Sequence, residues 1–192
     1  KASASSLKKI FMNILKSIKT IWIYNERVNM DGKLRNMTGI YLLKGDNILL
    51  LYRQGGKVVT NVWTGSAGGH FEKDELNDAR ACVVRELKEE LGLTLDDVEN
   101  LQFRYVCLRS TKGEIRQNFY FFAELKDTVD ENLQSNEGIC KWFSIDEIGE
   151  LEMPLTAKYM MEHYCNVGRF TDKVYVGVTY PDRIEFNELV ET

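Results

Sequence analysis

Three glutamates fall within five residues near the middle of this 192-residue chain, directly before a glycine. Residues 85–93 read RELKEELGL, a composition typical of the last turns of a helix. Residues three and four positions apart share a helix face, so Glu86, Glu89 and Glu90 are expected on one arc. Like charges at this spacing destabilise an isolated helix by about 0.2–0.5 kcal/mol per pair. A compensating positive charge is therefore expected, and a hard divalent cation with oxygen ligands is the natural candidate.

The other side of this predicted helix is apolar and is expected to dock on a sheet. The apolar arc comprises Leu76, Val83, Val84, Leu87 and Leu91. Gly92 suits the left-handed position that ends a helix, and either Asp74 or Asn77 can cap its start. A solvated acidic face is the alternative interpretation, but it would interleave lysines, and only Lys88 interrupts the glutamates.

Composition is that of an ordinary soluble domain, with 44% hydrophobic and 28% charged residues. The net charge of −4 argues against a broad surface for a nucleic-acid polymer, which would be basic. Four scattered cysteines without metal-ligand spacing predict free thiols and a cytoplasmic location. No apolar run reaches the length of about 18 residues that a membrane-spanning helix needs.

Residues 1–36 are interpreted as an N-terminal amphipathic segment that precedes a domain spanning residues 37–192. Apolar residues recur at helical spacing over residues 7–24, with the lysines off that stripe. A helix docked on the domain or on a partner chain is favoured over one lying on a membrane. Because the chain begins at Lys1, the interpretation allows residues 1–11 to include added ones, with Met12 as the native start.

Strand patterns outnumber helical ones in the rest of the chain. The predicted strands are hairpins at 37–43 with 47–52, 101–109 with 114–125, and 174–180 with 183–186, plus extended pieces at 57–64 and 139–143. Besides the acidic helix, a short helical turn is predicted over 146–151 and a helix from Pro154 to about residue 166. This pattern predicts an α+β layered domain with a mixed sheet.

Two glycines before the acidic helix extend the motif. Gly68 and Gly69 let the backbone approach a ligand closely, and Glu75 follows Gly69 after five intervening residues. Together with residues 85–93, they resemble the box of the Nudix hydrolase family, Gly-x5-Glu-x7-Arg-Glu-U-x-Glu-Glu-x-Gly-U, where U is a bulky aliphatic residue. Nine residues separate Glu75 from Arg85 where the pattern has seven, which we interpret as a two-residue insertion that can alter their pairing.

The resemblance implies an α/β/α sandwich and a metal-dependent attack of water on a phosphoanhydride of a nucleoside diphosphate linked to a further group. It implies Glu86 and Glu90 as principal ligands of Mg²⁺, or alternatively Mn²⁺, with Glu89 in a supporting or second-ion position. The Gly69 carbonyl is expected as a further ligand, because Mg²⁺ prefers oxygen ligands. Arg85 matches an orienting residue, and the identity of the general base stays open.

Other positions are candidates for the substrate side. Arg53 matches the place of a phosphate-contacting arginine in related proteins, with a surface arginine as the alternative, and Gly68 and Gly69 are expected to approach the substrate. Glu137 precedes a predicted strand with Trp142, where several family members carry a further acid, so an extra metal ligand or base is expected there.

Three alternating residues of a predicted strand and the two histidines can each be interpreted as structural or as functional. Asn118, Tyr120 and Phe122 share one strand face and are expected in the core, or else against a nucleobase. His70 is expected to have a local structural role, with contact to phosphate as the alternative, and His163 is expected to be non-catalytic.

From Met37 onward the chain is similar to bacterial MutT-type Nudix proteins described as 8-oxo-dGTP diphosphatases. The predicted reaction converts nucleoside triphosphates, oxidised ones included, to the monophosphate and pyrophosphate. ADP-ribose or another nucleoside diphosphate derivative is the second candidate substrate, and a non-catalytic nucleotide sensor is the third interpretation. The expected partner is a small nucleotide, and a homodimer is left open.

Overall fold

The computed structural model describes residues 32–54 and 61–192. The predicted N-terminal amphipathic helix and the first part of the extended piece at 57–64 lie outside the described residues. No helix in the described ranges has the length and apolar character needed to cross a membrane. The four cysteines are free thiols, as predicted.

Eight strands of the described chain form one mixed sheet that carries helices on both faces. The strands are β1 (Leu34–Lys44), β2 (Asn47–Arg53), β3 (Val62–Thr64), β4 (Val98–Thr111), β5 (Glu114–Leu125), β6 (Gly138–Ser144), β7 (Tyr175–Thr179) and β8 (Ile184–Glu188). The helices are α1 (Ala79–Leu91) and α2 (Leu155–Asn166), with 3-10 helices at Lys73–Glu75, Ile145–Glu150 and Gly168–Phe170. The strand order is β3-β2-β1-β5-β4-β7-β8, and β6 pairs with β2.

The sheet is mixed because two of its strand pairs are parallel. β1 runs parallel to β5 and β4 runs parallel to β7, whereas the three predicted hairpins β1–β2, β4–β5 and β7–β8 are antiparallel. The three hairpins and the mixed sheet are therefore confirmed.

The first strand begins earlier than the pattern predicts. The first strand was predicted from residue 37, yet β1 starts at Leu34, which pairs in parallel with Ile115, and Asn36 pairs with Gln117. Polar side chains disfavour a strand only weakly, and a neighbouring strand that takes up the backbone hydrogen bonds outweighs them.

The two sheet faces carry separate cores because successive strand side chains point in opposite directions. On β1, Ile40 and Leu42 pack with α1, whereas Tyr41 packs with α2. Helix α1 contributes Val83, Leu87 and Leu91 to the first core, and α2 contributes Ala157, Met160, Met161 and Tyr164 to the second. This arrangement is the expected α/β/α sandwich.

The start of α1 differs from the expectation. Neither Asp74 nor Asn77 caps the helix: the carboxylate of Asp78 accepts a hydrogen bond from the Ala81 N–H at 2.9 Å. The residues before it form a separate 3-10 turn at Lys73–Glu75, so the helical register begins later than the apolar pattern suggests.

The end of α1 is as predicted, but one residue of its apolar arc is not buried. Gly92 adopts the left-handed conformation at φ 70°, and its N–H donates to the Lys88 carbonyl at 3.0 Å. Leu76 precedes the helix and is 56% exposed, so its expected place on the docking face is wrong.

Candidate active site

Arg85 lies at the centre of the acidic cluster and donates hydrogen bonds to three carboxylates. Its Nε and Nη2 atoms contact the two oxygens of Glu75 at 2.7 and 3.0 Å. Its Nη1 atom contacts Glu86 Oε1 at 2.8 Å and Glu89 Oε2 at 3.0 Å. The planar fork of a guanidinium suits such two-point pairing with a carboxylate. Hydrogen bonding to Arg85 lowers the pKa of Glu75 to about 2, and the same bonds raise the pKa of Arg85.

The longer loop does not separate Glu75 from Arg85. Glu75 closes the 3-10 turn at Lys73–Glu75, and the residues that follow pass over the surface before α1 begins at Ala79. The Glu75 carboxylate is buried and also accepts from the Glu72 N–H at 2.9 Å. The insertion thus lies outside the pairing that it was expected to disturb.

Glu86 and Glu90 are the buried acids of α1, each only 8% exposed, whereas the side chain of Glu89 is 57% exposed. Burial raises the pKa of Glu86, and the hydrogen bond from Arg85 opposes this rise. Burial raises the pKa of Glu90 to about 7, against the hydrogen bond from the Gly68 amide. Two buried carboxylates on one side of a helix are costly as anions unless a cation lies beside them.

The two glycines are required by the close approach of their loop to β1 and α1. A Cβ on Gly68 would lie 2.4 Å from the Thr38 carbonyl oxygen, and the Gly68 N–H donates to Glu90 Oε2 at 3.2 Å. A Cβ on Gly69 would lie 2.1 Å from Glu86 Oε1. The Gly69 carbonyl accepts from the Thr38 N–H at 2.8 Å, which fixes the loop against the sheet.

The donor set of this cluster fits a hard divalent cation. Carboxylate and carbonyl oxygens are the ligands of Mg²⁺ and Mn²⁺, whereas zinc sites favour cysteine and histidine. The Glu86 carboxylate lies directly against the Cα of Gly69, so this carboxylate and the Gly69 backbone are close neighbours. Among residues 32–54 and 61–192, no three acidic, histidine or cysteine side chains already stand in metal-binding geometry. In the described arrangement Arg85 holds Glu86 and Glu89, while the Gly68 amide holds Glu90.

A cavity of about 180 Å³ opens beside the cluster. Arg53, Gly68 and Glu90 border it, so three of the predicted site residues share one space. In the alternating row on β5, Tyr120 and Phe122 belong to the core as expected, while Asn118 and Tyr120 also border the cavity.

Arg53 and Glu137 form an ion pair at the edge of the sheet. Arg53 ends β2 and pairs in register with Gly138, the first residue of β6. The positive charge of Arg53 also lowers the pKa of Glu90, although less than burial raises it. The structure therefore brings Glu137 to the cleft through Arg53, and its role as a metal ligand stays a prediction.

Both histidines make local structural contacts. His70 Nε2 accepts from Arg35 Nε at 2.7 Å, and His70 forms an isolated β-bridge with Met37. His163 Nδ1 is hydrogen-bonded to the Tyr105 hydroxyl at 3.0 Å. Burial lowers the pKa of each imidazole, so neutral rings are favoured.

Among the polar residues at the cavity that the sequence did not single out, three have a buried atom without a hydrogen-bond partner in the described chain. They are Tyr41, Arg109 and Thr156, which contribute a hydroxyl, a guanidinium Nε and a second hydroxyl. All three atoms are buried and have no hydrogen-bond partner among the described residues. Tyr41 and Arg109 can be placed on the same face of the sheet only when the pairing of β1, β5 and β4 is known. The sequence alone therefore does not predict that they meet at the cavity.

A family model described as the NUDIX domain matches residues 33–164, which is more than half of the chain. No curated protein sequence matches the chain. The fold is similar to that of a MutT protein from Bacillus halodurans, with 23% identity, a TM-score of 0.56, and coverage of 80% of this chain and 97% of that one.

Two further solved structures show the same fold at lower identity. A MutT protein from Methanosarcina mazei Go1 has 17% identity and a TM-score of 0.58, covering 73% of this chain and 99% of that one. An Ap4A hydrolase from C. elegans has 19% identity and a TM-score of 0.56, covering 71% of this chain and 99% of that one. The chain therefore belongs to the Nudix family and is a Nudix pyrophosphohydrolase with a MutT-like fold.

Proposed function

We propose that this enzyme hydrolyses nucleoside triphosphates, oxidised ones included, to the monophosphate and pyrophosphate with the help of Mg²⁺. The observation that carries this proposal is the Arg85 network, in which one guanidinium holds Glu75, Glu86 and Glu89 beside the buried Glu90. Acids held this closely suit the binding of a cation beside a polyphosphate. Mn²⁺ is the alternative ion because it accepts the same oxygen ligands.

In this proposal Glu86, Glu89 and Glu90, with the Gly69 carbonyl, hold the divalent ions, and Glu137, directly before β6, is a further candidate ligand. When bound, such ions polarise a phosphoryl oxygen and lower the pKa of a coordinated water. Arg85 is not a ligand. Its three ion pairs set the direction in which the carboxylates of α1 point.

The substrate phosphates are proposed to lie between Glu90 and Arg53. Arg53 borders the same cavity as Glu90 and supplies a positive charge for the phosphate oxygens. Gly68 borders it as well, and without a side chain there the backbone can approach an oxyanion closely. Glu137 holds the Arg53 guanidinium at this edge of the cleft.

A second candidate substrate is a nucleoside diphosphate joined to another group, such as ADP-ribose. The two phosphates of such a compound would meet a positively charged wall, because Arg53, Arg109 and Arg116 border the cavity together with Glu90. We further propose a cytoplasmic location, which suits the four free thiols. A homodimer stays an open prediction.

A nucleotide panel with identified products tests the proposal. The full chain is incubated with Mg²⁺ and ATP, 8-oxo-dGTP or ADP-ribose, and the products are separated by anion-exchange chromatography. Release of pyrophosphate with a nucleoside monophosphate is the expected result. Release of AMP with ribose phosphate from ADP-ribose alone would favour the second candidate. Binding without turnover of any compound would contradict the proposed activity and favour a nucleotide sensor.

A further inference from the structure

We propose that Arg109 and Arg116 form a second anion-binding point in the cleft, for a substrate phosphate that is not part of the cleaved linkage. This inference rests on the proposed function because it assigns the remote part of the same substrate. The phosphate can be the terminal one of a polyphosphate chain or one attached to the sugar, and both present the same oxygen acceptors.

The two arginines lie side by side on the sheet. Arg109 of β4 and Arg116 of β5 are direct partners in the antiparallel ladder, so their side chains leave the same face. Like charges directly opposite one another destabilise a strand pair. Both residues border the cavity that also contains Glu90, so the uncompensated charge faces the space beside the acidic cluster.

The protein supplies too few carboxylates to balance this pair. Arg116 donates from Nε and Nη2 to Glu114 Oε1 at 3.0 and 2.8 Å, and the same oxygen also meets Arg35 at 3.5 Å. One carboxylate thus serves two arginines. Within residues 32–54 and 61–192, Arg109 has no ion pair, and its Nε is buried without a hydrogen-bond partner.

The neighbouring groups are also suited to an acceptor-rich ligand. The hydroxyls of Tyr41 and Thr156 are buried and unpaired, and these residues are 0% and 4% exposed. Both border the cavity, and Thr156 lies in the first turn of α2, where the helix dipole is positive. In the described parts of the chain, Glu90 is the only acid that lines this cavity.

A neutral nucleobase satisfies these observations less well than a phosphate does. A base can accept a hydrogen bond from Arg109, but it leaves the Arg109 charge without a counter-charge and Arg116 sharing one carboxylate with Arg35. A phosphate supplies both acceptors and negative charge, and arginine pairs with it at two points.

Calorimetric titration in EDTA tests the inference without any need for turnover. Two pairs of probes are used: AMP against adenosine 3′,5′-bisphosphate, and ADP against ATP. The added phosphate is expected to lower Kd by about tenfold or more in one pair, since a charge-assisted hydrogen bond of typical strength corresponds to that factor. The pair that responds identifies the source of the phosphate, on the sugar or at the chain end.

Arg109→Gln is expected to reduce that preference to less than about threefold. Arg183→Gln is the matched control, because Arg183 lies in the exposed turn before β8 and pairs with Glu185. The control should keep the wild-type preference. If Arg109→Gln does not fold, as judged by circular dichroism, Thr156→Val and Arg116→Gln are compared in its place.

The inference is overturned if neither probe pair shows a preference in the wild type, or if Arg109→Gln weakens both members of a pair equally. GMP is titrated beside AMP, and tighter binding of GMP without any effect of the added phosphate would also overturn the inference, in favour of a base-reading site. Absence of hydrolysis of every compound on the substrate panel would overturn the proposed function. The anion site would still be tested, because the ratios of Kd values do not depend on turnover.

Discussion

Arg85 and Glu75 form a two-point ion pair across ten positions of the chain, with Nε–Oε1 and Nη2–Oε2 distances of 2.7 and 3.0 Å. The loop between them is two residues longer than the family pattern, yet the pair is complete. Arg85 also holds Glu86 and Glu89, so Glu75 sets the orientation of the acidic face from outside the helix. The pairing therefore links the stability of the loop to the geometry of the site.

Replacing Glu75 with glutamine should destabilise the protein and the site together. The amide removes a charge and turns an NH₂ group toward a guanidinium donor, so the free energy of unfolding should fall by about 2 kcal/mol. Urea unfolding measures this change. Asp74→Asn, one position earlier and exposed, is the matched control and should stay within about 0.5 kcal/mol of wild type. Equal stability of the two variants would mean that the ion pair contributes nothing.

The same pair predicts a pH dependence of stability. The pKa of Glu75 is about 2 in the folded protein and 4.5 ordinarily, so the pair contributes fully above pH 4.5. Its contribution declines as the pH falls from 4.5 toward 2, because the unfolded chain then binds the proton more readily. The difference in unfolding free energy between wild type and Glu75→Gln should be constant above about pH 5.5 and shrink below about pH 4.5. A difference that grows on acidification would be incompatible with this assignment.

The observed cap of α1 can be tested with two neighbouring substitutions. Asp78→Ala removes the acceptor of the Ala81 N–H and should cost about 1 kcal/mol of stability. Asn77→Ala should cost less than about 0.5 kcal/mol, since Asn77 is exposed and does not cap the helix. Chemical denaturation of both variants distinguishes the two positions, and the reverse order of effects would restore the cap that the sequence suggested.

Gly69→Ala should impair the site by displacing one carboxylate. The new Cβ would lie 2.1 Å from Glu86 Oε1, so the side chain or the loop must move. We expect weaker Mg²⁺ activation, by about 10–100-fold in the half-saturating concentration, as for other disturbed metal environments. Gly149→Ala is the matched control because no atom lies within 4 Å of its added Cβ. Mg²⁺ titration of the hydrolysis rate compares them, and identical activation curves would show that the close approach has no functional role.

The sequence predicted the elements whose signals are local. Glycine in the left-handed position ended α1 at Gly92, and alternating strands around short turns specified all three hairpins. The early start of β1 at Leu34 was missed because its partner strand lies far along the chain, at Ile115. The turn that contains Glu75 was missed because the Glu75 carboxylate is held by Arg85, ten positions along the chain, as well as by the Glu72 N–H.

The site was predictable on the side of α1 and not on the side of the sheet. Fixed spacing places Glu86 and Glu90 together on any helix, whatever the rest of the fold does. The cavity residues Tyr41, Arg109 and Thr156 come from β1, β4 and α2, and only the strand order and helix docking bring them to one space. No local sequence pattern predicts that these three residues lie together.

The central claim is that the buried acids of α1 support phosphoanhydride hydrolysis. The most direct test is kcat/KM with Mg²⁺ on the best substrate of the panel, for wild type, Glu86→Gln and Glu90→Gln. Glu162→Gln, an exposed glutamate on α2, is the matched control. We predict a loss of more than about 100-fold for each of the first two variants and wild-type activity for the control, since even outer-shell changes at metal sites cost about 10–100-fold. Full activity in both Glu86→Gln and Glu90→Gln would contradict the account.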